Sequence, residues 1–438
     1  MLQLKEELML KLKNRTAKLG VVGLGYVGLP LAVEKAKAGY DVIGFDVQSQ
    51  KVEMVNEGHN YIGDIVDEDL KEIVNSGKLK ATTDFSFVAD VDAVSICVPT
   101  PLDKYKQPDL SYVVNSSKSI AKYLHRGMLV VLESTTYPGT TEEVLKPILE
   151  ESGLKCGKDF FLAFSPERVD PGNKQFKTKN TPKVVGGCTS DCTEVAAMLY
   201  RSVLESDVME VSSPAVAEME KILENTFRNI NIALANEMAI LCKKMGIDIW
   251  EVIEAAKTKP YGFMAFYPGP GLGGHCIPLD PFYLSWKAKE YDYHTRLIET
   301  SGEINDYMPE FVVENAMKLL NSHKKPMNGS KVLLLGAAYK NDIDDMRESP
   351  TLKVIEHLEK NGAEVIYNDP YIPRFNHNKK EYVSVDWKEV IDDADIVIIT
   401  TNHSCYEYEE IVERAKLLYD TRNATKDVKN NREKINKL

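Results

Sequence analysis

Apolar and polar positions fall into the same order twice along this chain. In the first half an apolar run at 19–22 enters a glycine-rich turn (Gly23, Gly25, Gly28); a segment of helical spacing follows at 29–38, then a second apolar run that ends at Asp46. Further apolar runs lie within 92–101 (DAVSICVPTP), 127–141 (GMLVVLESTTYPGTT) and 160–172 (FFLAFSPERVDPG). Each passes into small polar residues and proline, as loops at the carboxyl edge of a parallel sheet do, and ligands bind at that edge. The second half repeats the order: a strand and turn at 329–340, a helix at 349–362, a strand ending at Asp369, and DADIVIITTNH at 393–403 echoing VDAVSICVPTP. There the glycine turn is replaced by Gly336-Ala337-Ala338, which leaves room for a mononucleotide rather than a dinucleotide.

Between the halves no proline or glycine interrupts residues 215–245. Ser212 or Ser213 can cap a helix there, Pro214 suits its first turn and Gly246 its end, giving about 46 Å of helix. The spacing predicts an α/β protein of two Rossmann-like doubly wound domains, joined by a long central helix and a helical dimerisation region. The expected divisions are 1–211, 212–320 and 321–438. Residues 1–16 read as a short amphipathic helix without the apolar core of a signal peptide.

Composition narrows the partners. The chain has 438 residues with a net charge of -12, which argues against a nucleic-acid partner. No run approaches the ~18–20 apolar residues that span a bilayer. Seven cysteines, an odd number, suit a reducing cytoplasm better than a disulfide framework. Cys188 and Cys192 are closely spaced, but no second Cys/His pair follows with ligand spacing, so no metal is expected.

Two stretches carry chemistry. Gly23, Gly25 and Gly28 lie between a strand and a helix, with Asp46 at the end of the next strand, as a dinucleotide turn requires. Asp46 accepts ribose hydroxyls and repels a 2′-phosphate, which favours NAD over NADP. In PGPGLGGHCIPLDP (268–281), prolines stiffen and glycines permit close packing around Cys276. That thiol is either buried filler or a nucleophile. His275 is read as orienting the backbone, since adjacent side chains in a loop diverge. On the long helix Lys221, Asn225 and Asn229 share one stripe, either solvated or a buried polar seam.

In order and over nearly the whole chain, GLGYVGLPLA, SPERVDPG, the helix with Lys221 and Asn225, GPGLGGHCIPLDP and YKNDIDDMRESP resemble the UDP-glucose/GDP-mannose dehydrogenase family. The resemblance implies oxidation of a nucleotide sugar's primary alcohol at carbon 6 to a carboxylate, using two NAD and one water. It makes Cys276 the nucleophile that traps the aldehyde as a thiohemiacetal and then carries a thioester. Lys221 is then the cation that stabilises oxyanions on the reacting carbon, and Asn225 adds a hydrogen bond. Asp280 orders the hydrolytic water, while Thr135 and Glu167 move protons or position water. The base of the first step is left among Glu167, Lys221 and Asp280.

The cofactor is assigned to Gly23, Gly25, Tyr26, Val27, Gly28, Asp46, Pro99, Thr100, Thr135 and Arg347. The UDP-sugar is assigned to Glu167, Arg168, Lys221, Asn225, Tyr267, Gly273 and Lys340, with Phe263 a further candidate. The alternative for Arg347 is a local pairing with Asp344 or Asp345. The wording of residues 262–296 is most similar to the branch that oxidises UDP-N-acetylglucosamine; UDP-N-acetylmannosamine and UDP-glucose remain alternatives. A two-electron hydroxyacid-type dehydrogenase, which also pairs a Rossmann domain with a lysine on a long helix, would need neither Cys276 nor the second Rossmann-like half, and a non-catalytic NAD-binding sensor would leave Cys276, Lys221, Asn225 and Asp280 without a purpose. A homodimer or higher homo-oligomer in the cytoplasm, serving surface-polysaccharide synthesis, completes the expectation.

Overall fold

The computed structural model describes the chain apart from Met1, Asp64, Lys104, Pro171, Lys174 and His275, so the reading of His275 lies outside the described residues. The chain divides into two compact units: Met1–Glu224 with Trp286–Tyr293, and Asn225–Ser285 with His294–Leu438.

The first unit is built on an eight-stranded sheet. Its strands are β1 (Lys18–Val22), β2 (Asp41–Phe45), β3 (Leu79–Thr82), β4 (Ala93–Ile96), β5 (Leu129–Leu132), β6 (Phe161–Phe164), β7 (Lys183–Gly187) and β8 (Val208–Val211). Their order is β3-β2-β1-β4-β5-β6-β7-β8. The first six run parallel in the dinucleotide-binding order 3-2-1-4-5-6. β7 joins antiparallel and β8 parallel to it, an extension that the apolar pattern did not signal. Strand residues alternate between two helix layers. Leu19, Val21, Leu129 and Val131 pack with Leu29, Val33, Val195 and Leu199, whereas Val22, Ile96, Val130 and Leu132 pack with Val113, Ile120, Leu145 and Leu149. Burial on both faces explains why these strands read as continuous apolar runs. The N-terminal helix, Leu2–Lys13, buries Leu8 and Leu12 in the first layer, and its Lys5 pairs with Asp191 at 2.6 Å.

The second unit holds a parallel sheet of β9 (Lys331–Leu335), β10 (Glu364–Asn368), β13 (Ile396–Ile399), β14 (Leu418–Asp420) and β15 (Ile435–Lys437), in the order β10-β9-β13-β14-β15. A hairpin of β11 (Arg374–His377) and β12 (Lys380–Val383) stands apart from it. Parallel strands in the order 2-1-3-4-5 make this the other common doubly wound sheet. Val332 and Leu334 face helices Arg296–Ser322 and Pro350–Lys360, and Leu333 and Leu335 face Trp387, Ile391, Ile411 and Val412.

The long helix runs from Pro214 to Met245. Ser213 Oγ accepts from Val216 N at 3.3 Å at its start. At its end Gly246 takes φ +71° and Ile247 N donates to Cys242 O at 2.9 Å, the αL stop that a glycine permits.

Candidate active site

The glycine turn after β1 is shaped by contact. Gly23 has φ +90°, and a Cβ at Gly28 would lie 1.7 Å from Gly23 O, so neither position accepts a side chain. At Gly25 a Cβ would meet nothing within 4 Å; its space is open. Asp46 Oδ2 accepts from Leu24 N and Oδ1 from Gln48 N, both at 2.9 Å. The carboxylate therefore fixes the turn, and an ionised carboxylate has further lone pairs for ribose hydroxyls. Tyr26 in the turn is exposed, with Val27 half-buried. Pro99 and Thr100 follow β4, and Thr100 Oγ1 donates to Thr135 O at 2.7 Å, joining the loops after β4 and β5. The cradle fits a dinucleotide: backbone N–H groups at a helix start, open space at Gly25, and an acid at the next strand's end.

Glu167 lies on the loop after β6. Its Oε1 accepts from Arg168 N and Val169 N at 2.8 Å each, and Lys183 Nζ stands 3.6 Å from Oε2. Lys183 pairs more closely with the buried Glu133, at 2.7 Å, and Tyr200 Oη donates to that same carboxylate at 2.6 Å. Burial pushes Lys183 down, but Glu133 and Glu167 outweigh it and hold the ammonium above its usual range. Burial likewise pushes Glu133 up, and the charges of Lys183 and Lys35 bring it below the usual carboxylate range. This buried ion pair was missed in the sequence; its only signal is an acid at the end of a wholly apolar strand. Arg168 is held by Glu224 and, at 3.3 Å, by Glu220, and donates to Pro182 O at 3.0 Å. Burial and the adjacent Glu224 push Glu220 up to about 7. Lys221, next to Glu220 on the long helix, is buried.

In the second unit Cys276 is the first residue of helix Cys276–Ala288 and is exposed. The loop before it is close-packed, as its glycines imply. Gly274 has φ +85° and donates N–H to Arg347 O at 3.0 Å, and a Cβ at Gly273 would lie 2.5 Å from Tyr339 Cβ. One turn into the helix, the buried Asp280 Oδ2 accepts from Asn225 Nδ2 at 2.6 Å. Asn229 Nδ2 donates to Ile277 O at 3.0 Å. The stripe of Asn225 and Asn229 is thus a buried polar seam rather than a solvated face. It continues through Asn236, whose Oδ1 accepts from Gly269 N at 3.0 Å at the start of the cysteine loop.

The remaining assigned residues have local partners. Tyr267 stacks on Trp250 at 6.0 Å and donates to Glu254 at 2.6 Å, whereas Phe263 is exposed. Arg347 Nη2 bonds to the buried Asp345 at 2.6 Å, the local pairing its acidic neighbours allow. Lys340 is half-buried on the same loop. Asp369, the counterpart of Asp46, accepts from Ala337 N, Ala338 N, Tyr371 N, Ile372 N and His403 Nε2 at 2.6–3.1 Å. Burial pushes its carboxyl up, but His403 and the backbone donors hold it below the usual range. Its acceptor sites are consumed internally, which is the physical reason why this half carries no second ribose-reading acid.

None of the seven cysteines is in a disulfide, and among the described residues no group of three or more His, Cys, Asp or Glu could hold a metal ion. Nor is any described helix long and apolar enough to cross a membrane.

Three models of the UDP-glucose/GDP-mannose dehydrogenase family match: its NAD binding domain over residues 17–204, its central domain over 215–307 and its UDP binding domain over 333–427. UDP-N-acetyl-D-glucosamine 6-dehydrogenase of Pseudomonas aeruginosa is 40% identical over 362 residues, covering 81% of this chain and 83% of that protein. UDP-N-acetyl-D-mannosamine dehydrogenase of Pyrococcus horikoshii is 37% identical over 416 residues, 94% of this chain and 96% of that one. The solved structure of UDP-D-ManNAc dehydrogenase from Pyrococcus horikoshii superposes with a TM-score of 0.86 at 36% identity, covering 93% and 96% of the two chains. The chain belongs to the UDP-glucose/GDP-mannose dehydrogenase family and is an NAD-dependent nucleotide-sugar dehydrogenase.

Proposed function

We propose that the enzyme oxidises carbon 6 of UDP-N-acetyl-D-glucosamine from alcohol to carboxylate, consuming two NAD and one water, through a thioester on Cys276. The observation that carries the reading is the pairing of an exposed thiol at a helix start with the buried Asn225–Asp280 hydrogen bond one turn beyond it. When bound, NAD accepts the hydride in each of the two oxidations, and Gly23, Gly25, Gly28 and Asp46 would hold it.

The chain's own residues do the rest. The Cys276 thiolate adds to the aldehyde carbon, forming a C–S bond and keeping the aldehyde from escaping. Lys221 donates to the oxygen that becomes anionic on that carbon, and Asn225 keeps the Asp280 carboxylate aimed at the water that later cleaves the thioester. That water attacks the carbonyl carbon, the C–S bond breaks and the thiolate returns. Glu167, held by two backbone N–H groups, takes up or delivers a proton, with Thr135 placing the water.

The choice of sugar rests on the wording of residues 262–296 and on the Pseudomonas relative; UDP-N-acetyl-D-mannosamine is the second reading, favoured by the Pyrococcus relative. The division 1–211, 212–320 and 321–438 stays part of the proposal. So does a homodimer seated on the long helix, where Val216, Met219, Leu223, Phe227, Leu234, Leu241 and Met245 are all exposed. Seven cysteines without a disulfide among them suit a reducing cytoplasm.

The test is NADH formed per sugar consumed, for wild type and Cys276→Ser. Two NADH per UDP-N-acetylglucosamine and a stalled variant are expected. One NADH with an active variant would sink the thioester; two NADH on another UDP-sugar alone would move only the substrate.

A further inference from the structure

Helix Cys276–Ala288 contains a proline one turn in, Pro281. Proline has no N–H, so the carbonyl four residues earlier, Ile277 O, loses its helical donor. An orphaned carbonyl in a packed helix costs stability and loosens the turn that begins with Cys276. Here the missing donor arrives from another element: Asn229 Nδ2 donates to Ile277 O at 3.0 Å. Asn229 is itself buried and fixed, because its Oδ1 accepts from Ser301 Oγ at 2.8 Å and from Asn305 Nδ2 at 3.4 Å. Its own backbone carbonyl takes a further bond from Asn305 Nδ2 at 3.3 Å. One turn earlier on the long helix, Asn225 holds Asp280. The first turn of the cysteine helix is therefore clamped at residues 277 and 280 by two amides one turn apart.

We infer that Asn229 is the positioning residue of the nucleophile: Pro281 vacates the Ile277 carbonyl so that Asn229 can take it, fixing where the Cys276 turn sits. This rests on Cys276 being the nucleophile. Asn229 does not touch the thiol and acts only through the backbone of its neighbour. A displacement of about 1 Å at a reacting atom can cost roughly a hundredfold in rate.

The device predicts its own rescue. Asn229→Ala orphans Ile277 O; adding Pro281→Ala restores an N–H at 281 that can close the ordinary helical bond. Asn229→Asp is the second probe. It keeps the acceptor for Ser301 and Asn305, and as a carboxylate it cannot donate to Ile277 O; the melting curve shows whether it is folded at the assay temperature. The experiment is steady-state NADH formation by the full-length enzyme for wild type, both Asn229 variants, Pro281→Ala, the double variant and Cys276→Ser, with thermal melting alongside.

Expected are a kcat loss of about tenfold to a hundredfold in both Asn229 variants, an unchanged KM for NAD, and recovery in Asn229→Ala/Pro281→Ala to nearly the Pro281→Ala rate. A purely structural role would lower Tm in Asn229→Asp without this rescue. Full kcat in Asn229→Asp, or a double variant as slow as Asn229→Ala, overturns the inference while Cys276→Ser stays dead. A Cys276→Ser enzyme still making two NADH per sugar overturns the nucleophile and this inference together.

Discussion

Replacing Glu133 by Gln is the sharpest probe of the buried charges under the first unit's sheet edge. The Glu133 side chain has no exposure and that of Lys183 only 6%, with their charged atoms 2.7 Å apart. The swap keeps the volume and an oxygen for Tyr200 Oη, but it leaves the Lys183 ammonium with Glu167 alone, at 3.6 Å. Lys35 is buried too, bonded to Ser95 Oγ at 2.7 Å, so its charge also loses a counterion. Breaking a buried pair from one side costs about 3–5 kcal/mol. At roughly 2–4 °C per kcal/mol for a domain of this size, Tm of the first unit should fall by roughly 6–20 °C. Removing the stranded cation as well, in Glu133→Gln/Lys183→Met, should recover more than half of that loss.

The pH dependence has a defined sign. Glu133's contribution is present above the ordinary carboxylate range, and Lys183's is present below the ordinary lysine range. The wild-type contribution is therefore flat from about pH 5 to pH 10. In Glu133→Gln the deficit should shrink as pH rises from neutrality, because the unpaired Lys183 can then shed its proton. Thermal melts of the wild type and the two variants, without NAD, read all of this. A single variant within about 1 kcal/mol of wild type, or a double variant no better than the single, would refute the reasoning.

Gly25→Ala should melt with the wild type, since its Cβ meets nothing within 4 Å, yet weaken NAD by roughly tenfold or more, about 1.4 kcal/mol, in calorimetric titration. Gly28→Ala should lose both Tm and NAD binding, because its Cβ falls 1.7 Å from Gly23 O. Glu218 accepts from Gly139 N, Thr141 N and Thr141 Oγ1 at 2.6–2.9 Å, and burial pushes it up to about 7. A carboxyl raised in the fold stabilises most below its unfolded value and loses this as pH rises through about 7. Wild-type Tm should therefore fall from pH 5 to 8, with a weaker fall in Glu218→Gln. Leu234→Glu, on the exposed apolar face of the long helix, should convert the proposed dimer to monomer in sedimentation velocity; an unchanged sedimentation coefficient would refute a dimer seated on this face.

Much of the molecule was legible along the chain because its signals are local. The apolar runs of β1, β2, β4, β5 and β6, the helix stop at Gly246, and the glycine turn each depend on residues within one or two turns of each other. Asp46 lies one residue past β2 and Gly28 starts its helix, small shifts from the expected limits. The doubling of the α/β plan was equally visible, since buried parallel strands announce themselves as unbroken apolar segments. The crowding of Gly273 and Gly274 around the cysteine loop was foreseen from composition alone, because only residues without a Cβ tolerate such approach.

What tertiary structure alone decided are the pairings of groups far apart in sequence. Lys183 meets Glu133 across 50 residues and Asn229 meets Ile277 across 48. Asp369 is closed by His403 while Asp46 keeps lone pairs to spare, though both end a second strand. A charge or amide written in a sequence states what it can bond, not what will arrive. Only the fold brings the partner within reach, and burial then sets the energy of the bond.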